Sequence, residues 1–101
     1  MEVIETHYTV DLCDFPGLPD KDRIAAEARY VRVLERQLGG AEAAADALRT
    51  VLQLAESDDS DVTAEDKATA GRWSKAVNAA REAGYQGLGE ADEAYFDVRL
   101  A

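Results

Sequence analysis

The chain has one histidine and one cysteine, His7 and Cys13, and these are its most obvious candidates for nucleophilic or general-base chemistry at neutral pH. A nucleophile and its base must lie within hydrogen-bond reach. Both fall in or beside a segment that alternates like a β-strand, where six residues at ~3.3 Å each hold them about 20 Å apart. The pair is therefore read as a partly exposed strand histidine and a small apolar cysteine, and no catalytic residue is assigned. One histidine and one cysteine also cannot complete a zinc site within a single chain.

Carboxylates are the abundant chemistry. Asp and Glu number 21 against 11 Lys and Arg, a formal net charge of −10. Residues 39–66 alone carry −7. Within them, Glu56, Asp58, Asp59, Asp61, Glu65 and Asp66 form the densest acidic block. Read as a calcium loop from Asp59, the block offers oxygens at Asp59, Asp61 and Thr63. It then has Ala64 where the tight turn needs glycine and Ala70 where the bidentate glutamate belongs. No metal and no cofactor are expected. A dense patch of one sign instead suits docking on a lysine- and arginine-rich protein surface, raising association rates and selecting partners by sign.

The acidic balance opposes direct binding to nucleic acid or to anionic lipid. One basic feature runs against it: Arg29, Arg32 and Arg36 recur at i, i+3 and i+7, with Tyr30 and Val33 nearby. Their simplest role is a solvated flank paired with Glu27 and Glu35. Because Arg and Tyr serve well as interface anchors, Tyr30 and Arg32 join the acidic block as candidate partner-binding residues.

These residues must be positioned by a small fold. A chain of 101 residues allows one domain, residues 1–101, and excludes a dinucleotide-binding α/β enzyme or a two-domain clamp. Alanine supplies 19 of its apolar residues, which suits closely packed helices around a small core. Residues 2–12 alternate with period two: Ile4, Thr6, Tyr8, Val10 and Leu12 form the apolar side of a strand. Pro16, Gly17 and Pro19 end it. A helix capped by Asp20 follows, with Ile24, Ala28, Val31, Leu34 and Leu38 as its core stripe. Gly39-Gly40 closes it and turns the chain into a second helix, Ala41 to Ala55, with stripe Ala44, Leu48, Val51, Leu52 and Ala55. The short joint predicts that these two helices are antiparallel neighbours.

Thr63-Ala64-Glu65-Asp66 resembles a capping box and opens a third helix to about Ala83, with stripe Trp73, Ala76, Val77 and Ala80. Gly71 inside it predicts close approach to another helix, and Gly84 its end. Residues 93–101 alternate again, with Ala94, Phe96, Val98 and Leu100 on one side. The expectation is an α+β fold of order β-α-α-α-β, in which the terminal strands pair antiparallel and three helices cover one face. Both strands would be edges, open to pairing with another chain.

No apolar run approaches the ~18 residues of a membrane span, the N-terminus has no secretory pattern, and a single cysteine fits a reducing compartment. A cytoplasmic location is expected. In size, acidity and lack of catalytic residues, the chain resembles the small phage-encoded inhibitors of bacterial defence systems, such as anti-CRISPR proteins. That resemblance implies a stoichiometric inhibitor that binds a nucleic-acid-handling complex and blocks access of target DNA; it carries no residue across. The alternative is an accessory or immunity-type subunit that completes a complex through an apolar face or edge strand.

Overall fold

The computed structural model describes residues 8–56, 62–89 and 91–100. Strand β1 (Tyr8–Cys13) is followed by helices α1 (Asp20–Leu38), α2 (Ala41–Glu56) and α3 (Ala64–Tyr85), and by strand β2 (Tyr95–Leu100). The two strands form an antiparallel two-stranded sheet in which Tyr8 faces Leu100, Val10 faces Val98 and Leu12 faces Phe96. The order β-α-α-α-β is the one the hydropathy pattern predicts. The N-terminal half of the expected first strand, with Ile4, Thr6 and His7, lies outside the described residues.

Each helix boundary has a local cause. Residues 15–18 turn the chain after β1, with Pro16 second and Gly17 at φ +78°, and the Leu18 amide donating to the Phe15 carbonyl at 3.5 Å. The N-cap of α1 is Pro19, whose side chain makes no cap; Asp20, expected there, is the first helical residue and pairs with Arg23 at 3.7 Å. At the other end Gly39, at φ +98°, lets its own amide and that of Gly40 donate to the Glu35 carbonyl at 2.8 Å. Thr63 caps α3: its hydroxyl accepts from the Asp66 amide at 3.1 Å, and the Asp66 carboxylate accepts from the Thr63 amide.

The core forms where the helices meet the apolar side of the sheet. Ala26, Tyr30 and Leu34 of α1, Ala44, Ala45, Ala47 and Leu48 of α2, Ala76 and Ala80 of α3, and Tyr8 and Leu12 of β1 are buried. Tyr30 and Leu34 are the largest side chains sealed completely. With so much alanine, aromatic rings must supply volume. Phe96 stacks on Tyr30 with ring centroids 4.4 Å apart and meets Tyr85 at 5.0 Å.

Two expectations about faces are corrected by the burial pattern. The buried stripe of α1 is rotated from the expected one: Ile24 is 58 % exposed and Ala28 also faces solvent, while Ala26 and Tyr30 point inward. The far end of α2 projects past the core, leaving Leu52 and Ala55 exposed. α1 and α2, joined by Gly39-Gly40, are in contact as the short joint predicts, and both pack more extensively on α3.

The close approach expected at Gly71 of α3 occurs at Gly84 instead. A Cβ on Gly71 would meet open space, whereas a Cβ on Gly84 would sit 2.5 Å from Phe96 Cζ and 3.4 Å from the Ala26 carbonyl oxygen. Gly84 is the position of close approach, one residue before α3 ends.

Candidate functional site

The acidic block spans the end of α2 and the start of α3. Glu56 is the last residue of α2 and Glu65 lies in the first turn of α3; both are exposed. Neither forms an ion pair among the described residues. Asp58, Asp59 and Asp61 lie outside the described residues. Asp66 is only half exposed, and its carboxylate is engaged in the capping box. It contributes charge to the block while its geometry serves the helix.

The calcium-loop alignment begins at Asp59 and Asp61, which lie outside the described residues. Ala64 and Ala70, the positions of its turn and its bidentate ligand, are both helical residues of α3. Among the described residues, no group of three or more His, Cys, Asp and Glu side chains is arranged to hold a metal ion. Cys13 is half-buried at the end of β1, its thiol directed at the Asp11 carbonyl oxygen at 3.7 Å. His7 lies outside the described residues.

The flank of α1 departs most from expectation. Tyr30, expected as an interface anchor, is 1 % exposed and belongs to the core. Burial pushes its hydroxyl up to about 12. Arg32 is exposed as expected, and so is Arg36. Arg29 is a structural clasp: its Nε donates to the Ala83 carbonyl at 3.1 Å, and one terminal nitrogen donates to Gly84 at 3.0 Å and to Gln86 at 3.2 Å. The last turn of α3 has no basic residue of its own, so Arg29 supplies from α1 the positive charge that a helix C-terminus favours.

Glu27 and Glu35 do not serve as partners for Arg29, Arg32 and Arg36. Both reach β1. Glu27 accepts the Leu12 amide at 2.8 Å while pairing with Arg23 at 3.3 Å. Glu35 accepts the Tyr8 hydroxyl at 2.9 Å. Burial, reinforced by that hydrogen bond to a carboxylate, pushes the Tyr8 hydroxyl well above the usual phenol range.

Two further charged features emerge only in three dimensions. Asp14, Asp92 and Glu93 come together with Pro16 and Ala91 around a surface depression of 620 Å³. Their separation in sequence hides this; the only signal is the acidic excess of residues 83–101. On the face of the sheet away from the helices, Asp11 and Asp97 stand directly opposite each other. Arg99 bridges them, at 3.2 Å to Asp11 and 3.0 Å to Asp97. The hydrogen bond to Asp11, followed by the charge of Asp97, pushes the Arg99 guanidinium further up.

Among the described residues no helix is long and apolar enough to cross a membrane. No protein-family model matches the chain, and no curated protein or solved structure shows significant similarity to it.

Proposed function

We propose that the protein acts by binding rather than by bond-making, using the anionic stretch between α2 and α3 to occlude a cationic, nucleic-acid-binding surface of a partner. The observation that carries this reading is the state of Glu56 and Glu65. Both are exposed and without an ion pair among the described residues, and they bracket three further aspartates in the sequence. Carboxylates left without local cations project a field that steers a basic partner toward them. A cationic surface built for phosphates attracts negative charge of any source. The resemblance to phage-encoded inhibitors makes a bacterial defence complex of the CRISPR-Cas type the partner class of choice. Arg32 remains available as an exposed anchor; Tyr30 does not.

The test is a pull-down from bacterial lysate with the intact protein and with a variant carrying Glu56→Lys, Asp58→Lys, Asp59→Lys, Asp61→Lys and Glu65→Lys. Thr63 and Asp66 are spared to keep the cap. The partner should be retained at low salt and released by competing DNA. It should be lost near 1 M salt, where the Debye length is roughly 3 Å. The reversed variant should not retain it. Capture that survives charge reversal overturns the proposal.

A further inference from the structure

The outer edges of the two strands are treated differently by the rest of the fold. The Leu12 amide, on the outer edge of β1, donates to Glu27. Antiparallel pairing alternates, so Tyr8, Val10 and Leu12 turn their main-chain groups away from β2, and the residues opposite them, Leu100, Val98 and Phe96, turn theirs away from β1. On the β1 side, α1 supplies Glu27 to the Leu12 amide, while the outward main-chain groups of Tyr8 and Val10 have no hydrogen-bond partner among the described residues. On the β2 side, no described residue hydrogen-bonds to the outward groups of Phe96, Val98 or Leu100. Side chains show the same asymmetry. Tyr8 and Leu12 are buried, whereas Leu100 and Phe96 across from them are only half-buried.

We infer that the free edge of β2 pairs with β2 of a second copy, antiparallel and centred on Val98, to give a continuous four-stranded sheet. The identity of the occupant follows from charge. Side chains at 97 and 99 lie on the face opposite the helices. With the two-fold axis at Val98, Asp97 of each copy stands directly opposite Arg99 of the other. These are non-hydrogen-bonded pairs, the class in which side chains approach most closely. Val98 meets its own counterpart, and Phe96 meets Leu100. Moving the centre by one residue places Asp97 against Asp97 or Arg99 against Arg99, which opposes like charges. The pattern Asp97-Val98-Arg99 therefore complements itself in one register and rejects the adjacent ones.

The pairing also relieves a repulsion within each copy. Asp11 and Asp97 oppose each other and share the single Arg99. The second copy brings another arginine against Asp97. This inference concerns a different surface from the anionic stretch and does not depend on that reading.

Sedimentation equilibrium of the full chain over a wide concentration range tests it. The intact protein should form a dimer. Asp97→Arg should weaken that dimer by about tenfold or more, because two opposite-charge pairs become two like-charge pairs. Within one copy the same change places an arginine opposite Asp11, so the fold is retained, which circular dichroism checks. Asp97→Arg combined with Arg99→Asp should restore the dimer, since the exchanged charges again complement each other. Val98→Pro, which removes an outward amide, should give a monomer. A chain that stays monomeric at all concentrations overturns the inference, including the case in which the β2 edge accepts only a strand of another protein. A dimer indifferent to Asp97→Arg overturns it equally.

Discussion

Phe96 lies so close to Gly84 that a single added methyl group on the glycine would stand 2.5 Å from the ring. The ring cannot move freely, because Tyr30 stacks on it and Tyr85 flanks it. This contact ties β2 to the last turn of α3 and, through Tyr30, to α1. Gly84→Ala should therefore destabilise the protein by about 1–3 kcal/mol in chemical denaturation, despite the helix propensity of alanine. Gly71→Ala in the same helix meets open space and should stabilise by about 0.5–1 kcal/mol. Two glycine-to-alanine changes in one helix, with opposite signs, separate packing from propensity.

Arg29 closes the C-terminus of α3 from a neighbouring helix, donating to three carbonyl groups. Arg29→Ala leaves those acceptors without a charged donor and should cost about 1.5–3 kcal/mol of unfolding free energy. Arg29→Lys should recover less than half of the loss, because an ammonium cannot reproduce the planar fork. Full recovery by lysine would mean that charge near the helix end, and not hydrogen-bond geometry, is what matters.

Glu27 guards the outer edge of β1 through the Leu12 amide. Glu27→Ala removes an acceptor from a part-buried amide and should cost about 1–3 kcal/mol. Faster hydrogen exchange at Leu12 should accompany the loss, read by NMR on the labelled protein. Protection at Leu12 that is unchanged in the variant would show that the carboxylate does not hold this edge.

Alkaline stability should depend on Tyr30. Burial pushes its hydroxyl from the ordinary value near 10 up to about 12. The folded state therefore binds the phenolic proton more tightly than the unfolded chain. The stability this contributes is complete below about pH 10 and is lost as the pH rises toward 12. Tyr30→Phe keeps a ring against Phe96 and removes the ionisable group. Its unfolding free energy should match the parent closely at neutral pH and fall less between about pH 10 and 12, by on the order of 2 kcal/mol. Parallel curves for the two proteins over that interval would count against the assignment.

Local rules carried much of the architecture. The alternation of Tyr8, Val10 and Leu12 with Thr9 and Asp11, and of Phe96, Val98 and Leu100 with Asp97 and Arg99, reports one wet and one covered sheet face. Gly39-Gly40 and the Thr63–Asp66 cap mark helix ends because main-chain groups there have few ways to be satisfied. These features depend on neighbours within a few positions, so the chain states them without reference to its fold. The acidic excess between α2 and α3 is equally a property of the sequence.

Tertiary structure decided which face of each helix is inside and what each charge does. Arg29 reads from sequence as part of a solvated flank and Tyr30 as an interface anchor beside it; the arginine instead clasps the end of α3 and the tyrosine is sealed against Phe96. Glu27 and Glu35 look like partners for nearby arginines and instead serve a strand 15 and 27 positions away. Gly71 and Gly84 are interchangeable as symbols, but only Gly84 has Phe96 against it. In each case the deciding partner lies far along the chain. An alanine-rich core leaves several helix rotations similarly apolar, so the choice falls to the few large rings that must fill the remaining volume.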